Sequence, residues 1–485
     1  MGAGRVRPRV EPVTVEKTIA PPYRLPSPRD LPYAKPKSGS LCRETALGLI
    51  SAMKKALDQE PGVVEAFVLA EISGLPVLLI GPHGSGKTTL VKTLASALYL
   101  KGRPVKFKHV TVKEVHNEYS VFARPDFGAL AKGQEKWIPK LIDSEFAFID
   151  EVFRNQRIFA ALNEVLEEKR FEGLPLKWIF FAAATNPPNQ YYKTVDVWNF
   201  ADLDRFSVIV EVEDRGFGFA DKMAKGQAPG VNVKVDVDNI EQVREEIRRT
   251  KVSEEALSLA KVLVASLSVC TFEPVDGRGE RYLILNKFAA IQDLKCYRCV
   301  HQRHLICSKY AVAPKRAFRS LIHLAKARAW ALGREVLSED VVWAFKYTVP
   351  GRTAVSSEAS ETAPTYSVLY QQMWRDFTEW YSQNYECLAE GRRGDPLAEY
   401  CHSILGRRKE TLYYRVKIPS SMAERALKWM VLKNKITLEE ASQILEDLRS
   451  GYAPRRPDLI LRRGALYYKA GTREEAEDLC RFLEK

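Results

Sequence analysis

The chain has no apolar run near the 18 or so residues needed to cross a bilayer. Its opening stretch, MGAGRVRPRVEPVTVEK, has no apolar core of the kind a secretory signal carries. No membrane contact is expected, and the cytoplasm is the default compartment. Cysteine is sparse as well, eight residues scattered along 485, so a disulfide framework is not expected. One segment almost lacks acids. From Arg278 to Arg334, thirteen Lys/Arg stand against Glu280 and Asp293, a local charge of +11 in a chain whose formal net charge is +13. Residues 361–485 are nearly balanced, with 21 basic and 19 acidic. A local basic block can meet nucleotide phosphate, nucleic acid or an acidic protein face, and charge alone does not choose among them.

What the chain does have, at 46% hydrophobic content, is enough apolar material for two to four packed domains. Residues 1–40 hold eight prolines among Arg, Lys and small residues and read as a flexible basic arm. Leu41 to Asp58 and Val63 to Ile72 repeat apolar residues at helical spacing and lead into the stretch that organises the rest, PVLLIGPHGSGKTTLVKTLASAL at 76–98. Val77 to Ile80 is an unbroken apolar run, as in a parallel strand covered on both faces. Gly81 to Thr88 match G-x-x-x-x-G-K-[ST]. Gly81 permits the sharp exit from the strand, and Gly84 and Gly86 let backbone N–H groups close around phosphate oxygens. Lys87 reaches the β- and γ-phosphates, Thr88 offers a hydroxyl to Mg²⁺, Ser85 and Thr89 flank them, and the following helix points its positive end at the anion.

Residues 104–112 alternate as a second strand, and 115–141 have no clean period, too long a stretch for an ordinary connection. Phe146 to Ile149 is a third strand ending in Asp150 and Glu151. An acid at the carboxyl end of a strand beside a phosphate loop can hold Mg²⁺, and the next can polarise a water for attack on the γ-phosphate. Gln156 to Lys169 is an amphipathic helix. Trp178 to Ala184 is a fourth buried strand, and it runs into Thr185-Asn186-Pro187-Pro188, where the amide of Asn186 would lie beside the acid pair. Strands and helices alternating, with polar motifs at strand ends, predict an α/β parallel sheet that binds a nucleoside triphosphate along its carboxyl edge.

This order resembles the AAA+ ATPases, and among them the MoxR-type, helix-2-insert branch. The resemblance covers roughly residues 45–350 and is carried by GPHGSGKT (81–88), FIDEVFRNQ (148–156), ALNEVLEEKRFEG (161–173), AATNPPN (183–189) and DLDRF (202–206). It implies an ATPase core over 41–250 and a small helical lid over 251–350. It implies that Asn186 positions the attacking water and that Arg205 is an arginine finger acting on ATP held by a neighbouring subunit. Arg316 would be the second sensor arginine, reading the nucleotide from the lid, with Lys315 and Arg319 as substitutes. Ring assembly, most simply a hexamer, follows from such a finger. The resemblance also implies a protein client, with von Willebrand factor A domain proteins as the associated partners, and a remodelling or chaperone role. A nucleic-acid-dependent motor is the competing reading.

Within the lid segment, Cys296, Cys299, His304 and Cys307 have a spacing that brings thiolates and an imidazole within reach of one tetrahedral Zn²⁺. Ordinary buried cysteines are the heavier reading, because the family does not require a metal there. Ser253 and Ser338 are expected to cap lid helices. Residues 351–364 read as a linker. Residues 365–485 are expected to form a mainly helical domain, with capping boxes at Thr437/Glu440 and Thr472/Glu475 and a hairpin joining Leu459–Leu461 to Leu466–Tyr468.

Overall fold

The computed structural model describes residues 8–187, 200–213, 230–270, 306–356, 363, 365–454, 456–462 and 465–484. In chain order, the strands that matter are β1 (Arg9–Thr18), β2 (Val77–Ile80), β3 (Phe107–Thr111), β4 (Phe146–Asp150), β5 (Phe180–Thr185), β6 (Val208–Glu211), β7 (Arg407–Ile418), β8 (Leu459–Arg462) and β9 (Ala465–Ala470). The helices are α1 (Pro61–Ser73), α2 (Lys87–Ala97), α3 (Gln156–Glu168), α4 (Ile240–Arg249), α5 (Glu254–Ser268), α6 (Pro314–Ala331), α7 (Ser338–Thr348), α8 (Tyr366–Gln383), α9 (Ala423–Leu432), α10 (Leu438–Arg449) and α11 (Arg473–Glu484). The chain divides into a larger unit, Ala20–Leu405, and a smaller one that joins the residues up to Ile19 to those from Gly406 onward.

The larger unit is built on a five-stranded sheet in the order β6-β2-β5-β4-β3, with every pairing parallel. Successive side chains of each strand enter opposite apolar layers. Val77, Leu79, Phe146, Phe148, Ala182 and Ala184 face one core, while Leu78, Ile80, Ala147, Ile149, Phe181 and Ala183 face the other. That two-sided burial explains why the strands read as continuous apolar runs, and it confirms the α/β fold class expected from them. β3, at the sheet's edge, is half-buried throughout. Residues 115–141 contain two single-turn helices and a small antiparallel ribbon, Ala123–Pro125 with Trp137–Pro139.

Helices α5, α6 and α7 follow. Ser253 caps α5 through its side chain, accepting from Ala256 N at 3.2 Å. Ser338 does not cap α7. The cap is Leu337, whose N–H donates to the Asp340 carboxylate at 2.9 Å, and Ser338 is the first helical residue. The boundary expected near residue 365 is also displaced. Leu369, Met373 and Phe377 of α8 are buried in the core shared with α7, Phe345 meets Tyr370 with ring centroids 6.0 Å apart, and Tyr310 donates to Asp376 at 2.8 Å. Residues 365–405 therefore belong to the larger unit.

The smaller unit corrects the flexible-arm expectation. Residues 9–18 form β1, antiparallel to β7 from Arg9↔Lys417 to Thr18↔Arg407, with a bulge at Val13/Thr14. The sheet order is β1-β7-β9-β8. Its proline content suggested disorder, but RVEPVTVEK alternates, and Pro12 sits on an edge strand where a missing N–H is tolerated. Helices α9, α10 and α11 cover one face, burying Val416, Ile418, Leu459, Leu466, Tyr468 and Ala470. The Thr437/Glu440 capping box forms, Glu475 N donates to Thr472 at 3.2 Å, and Gly451 takes φ +78° just past α10. The expected hairpin strands are β8 and β9, which pair antiparallel, while Arg463 and Gly464 lie outside the described residues.

Candidate nucleotide site

The loop leaves β2 at Gly81, whose N–H donates to Thr185 O on β5 at 3.3 Å. A Cβ there would stand 2.1 Å from Val212 O, so only glycine lets the loop pass this close to the end of β6. Gly84 and Gly86 hold φ +83° and +91°, left-handed values that turn the loop's amides into one concavity and start α2. A cavity of about 200 Å³ opens there, walled by His83, Gly84, Gly86, Lys87, Thr88, Thr89, Asp150, Glu151 and Asn186. Gly81 and Ser85 stand behind this wall; Ser85 is 4% exposed, and its carbonyl accepts from Gln59 Nε2 at 2.8 Å.

Lys87, 7% exposed, donates to Gly81 O at 2.6 Å, Pro82 O at 2.8 Å and Asn186 Oδ1 at 3.3 Å. Burial pulls its pKa below the ordinary lysine value, against the charges of Asp150 and Glu151, which favour the ammonium. Thr88 Oγ1 donates to Asp150 Oδ2 at 3.1 Å. Burial pushes the Asp150 carboxyl up, but His109 (3.8 Å away), the Thr88 hydroxyl and the Glu151 amide outweigh it and leave the group below its usual value. Thr88 and Asp150 thus present hard oxygen donors side by side at the phosphate loop, a set that fits Mg²⁺.

Glu151 occupies the left-handed region at φ 54°, ψ 43°, a strained conformation for a residue with a side chain. Its Oε2 accepts from Arg154 Nη1 at 2.6 Å. Asn186, 7% exposed, uses its second amide atom as well, with Nδ2 3.2 Å from His83 Nε2.

The structure brings Lys87, Thr88, Thr89, Asp150, Glu151 and Asn186 to one cavity, but it places Arg205 and Arg316 elsewhere. Arg205 is ion-paired with Glu167 near the end of α3. Arg316 lies 3.6 Å from the same carboxylate and 3.1 Å from Asp204, which in turn holds Arg352 at 3.0 Å. Burial and the charge of Arg316 both lower the pKa of Arg205. In this structure Arg316, expected to read the nucleotide from the lid, stands beside Arg205, where it donates to Asp204, 7% exposed, at 3.1 Å.

Residues 76–223 match the family model of the AAA domain, dynein-related subfamily. The chain carries an AAA+ ATPase domain. A solved structure from Cytophaga hutchinsonii ATCC 33406, provisionally named an ATPase, shares 20% identity, covers 68% of this chain and 96% of its own, and gives a TM-score of 0.48; so distant a likeness carries no argument.

Four residues around the AAA+ site escaped the sequence reading. Arg154 was legible in principle, three residues after Glu151. His83 sits inside the glycine motif, in a position the motif leaves unspecified. Asp204 is in the quoted DLDRF, but its partner Arg352 lies 148 residues away, where no spacing rule reaches. Cys296, Cys299 and His304 lie outside the described residues, as does the side chain of Cys307. Among the described residues no group of three or more His, Cys, Asp or Glu could hold a metal ion.

Proposed function

We propose that this AAA+ ATPase works as a MoxR-like ring, most simply a hexamer, that remodels protein complexes in the cytoplasm. Lys87 grips the β- and γ-phosphates, Thr88 and Asp150 hold Mg²⁺, Glu151 polarises the attacking water and Asn186 positions it. The metal supplies charge neutralisation at the phosphates when bound. Arg205 neutralises charge that develops on the γ-phosphate of a neighbouring subunit, with Arg316 beside it. The observation that carries this reading is the separation just described. The cavity wall has the phosphate grip and both acids but, among the described residues, neither arginine, which supports completion by a second copy. A client with a von Willebrand factor A domain belongs to the same reading. Among the described residues no helix is long and apolar enough to cross a membrane.

Mixing tests the trans arrangement. Lys87→Ala and Arg205→Ala proteins should each be inactive, because one cannot hold the nucleotide and the other cannot complete a neighbour's site. Mixed in equal amounts, roughly one interface in four joins an intact loop to an intact finger, and activity should recover to about a quarter of wild type. Full activity of Arg205→Ala alone, or no recovery on mixing with rings demonstrably formed, would sink the proposal.

A nucleic-acid-dependent motor remains the second reading. The basic block at 278–334 gives it little support among the described residues, because Lys309, Arg316, Arg328 and Arg334 are ion-paired with acids of the fold. A sheet face in the smaller unit favours it more.

A further inference from the structure

The two faces of the sheet in the smaller unit differ in kind. One is sealed by α9, α10 and α11. On the other, register places Tyr413, Arg415 and Lys417 of β7 beside Tyr467 and Lys469 of β9, with Arg462 of β8 at the edge. The pairs Arg415↔Lys469 and Lys417↔Tyr467 are directly opposite one another, so these side chains share the face. β1 adds Arg9 opposite Lys417 and Glu11 opposite Arg415. Five cations against one acid give this face +4, half of the net +8 that 22 basic and 14 acidic residues give the whole unit.

The aromatic and basic side chains are interleaved. The Arg415 guanidinium lies 5.2 Å from the Tyr467 ring centroid, and Lys469 Nζ lies 5.3 Å from that of Tyr413. A cation lies against each ring, so a base that displaced it to stack there would bring its own phosphate to a counter-charge. Lys417 and Arg462 are exposed, and Glu11, the acid of the face, is engaged by Arg415 at 2.7 Å.

From this juxtaposition we infer that the sheet face of the smaller unit opposite α9, α10 and α11 is a docking surface for single-stranded DNA. An antiparallel sheet with rings for bases and cations for backbone is the arrangement single-strand binders use, and it needs no base-specific hydrogen bond. A duplex would hide its base faces from Tyr413 and Tyr467. An acidic peptide would meet the cations but leave the rings unused. Glu11, the carboxylate of the face, is engaged by Arg415, so the face dedicates no free carboxylate to a 2′-hydroxyl and gives RNA no expected advantage over DNA. Four strands span about 15 Å across, so the footprint is a few nucleotides. The inference deepens the second reading above but does not rest on ATP cleavage, since binding is read without nucleotide.

The test is fluorescence anisotropy of the full chain with a labelled oligothymidylate of about 15 nucleotides across a salt series. Wild type should bind with an affinity that falls steeply with salt. Lys417→Glu with Arg462→Glu, both at exposed positions, should weaken binding at least tenfold and flatten the log–log salt slope by about 1.4. Tyr413→Ala with Tyr467→Ala should weaken binding while leaving the slope unchanged, an effect that a purely structural cation–ring ladder would not give. Unchanged melting temperature of the Lys417/Arg462 variant shows that the unit is folded. Equal affinity of wild type and both variants, absence of binding by wild type, or tighter binding of oligouridylate, duplex or polyglutamate would each overturn the inference.

Discussion

Asp204 is a residue outside the cavity whose removal should be costly. It is 7% exposed and bridges two arginines, Arg352 (1% exposed) at 3.0 Å through Oδ1 and Arg316 at 3.1 Å through Oδ2. Burial pushes Arg352 down from the ordinary arginine value to about 10, and the Asp204 charge is what opposes that push. At about 1.36 kcal/mol for each unit, holding Arg352 charged in the fold costs about 3 kcal/mol even with its partner present. The sign follows from the depressed value: at pH 7, below both figures, the cost is fully present. Asp204→Asn removes the counter-charge and leaves a buried cation facing neutral acceptors, the Phe206 carbonyl and the new amide oxygen, a change that typically costs about 3–5 kcal/mol. Arg316, 49% exposed, regains water and adds little to the loss. Asp204→Asn with Arg352→Met should recover most of the stability, because no uncompensated charge is then left buried and the amide can still accept from Arg316. Urea unfolding of the four proteins of this cycle measures the coupling. A stable single variant, or a double variant less stable than the single by the full cost of a second lesion, would refute the reasoning.

Two other outcomes follow from the same contacts. Arg154→Ala frees the Glu151 carboxylate from a 2.6 Å hydrogen bond, and steady-state kinetics should show kcat falling roughly tenfold or more with KM little changed, since orientation and not binding is lost. His323 on α6 is pushed from 6.5 down to about 4, first by burial and then by Arg248, Arg319, Lys326 and Arg244. The unfolded chain therefore binds the extra proton between those values, and stability should decline as pH falls from 6.5 towards 4 and level off below. After allowance for the ring's partial exposure, His323→Gln should remove about 2 kcal/mol of that decline in pH-dependent denaturant melts.

The sequence made the larger unit's sheet legible because parallel strands buried on both faces leave no doubt about their period: Val77–Ile80, Phe146–Asp150 and Phe180–Thr185 read as strands with ends within two residues of those observed. Asp150, Glu151 and Asn186 were found for the same reason, each lying at or just past a strand's carboxyl end, while Lys87 and Thr88 were found from the glycine motif, which ends in the first turn of α2. β1 was missed because its partner β7 is about 400 residues away and a lone alternating stretch with prolines has no local energy to declare itself. The α8 boundary was missed because linker composition at 351–364 says nothing about which core the next helix enters. Asp204, Arg316 and Arg352 come together across 148 residues, and only tertiary structure supplies that coincidence.

His83 illustrates how a position the motif leaves blank can be fixed by its neighbours. Lys87 has three protons to donate, and two go to Gly81 O and Pro82 O while the third goes to Asn186 Oδ1. That third bond fixes which way the Asn186 amide faces, so its Nδ2 points at His83 Nε2, 3.2 Å away, and His83 must accept there with its proton on the other ring nitrogen. Asn186 is thus held at both ends before any water arrives, and rotation of the amide would break two contacts at once. His83→Ala leaves the Lys87 contact but releases Nδ2. In the reading in which Asn186 positions water, kcat should drop about tenfold while nucleotide affinity, set by Lys87 and the loop amides, holds. A His83→Ala protein with unaltered kcat would show that the lysine contact alone is enough to hold the amide; a loss confined to nucleotide affinity would move His83 from Asn186's support to the phosphate grip itself.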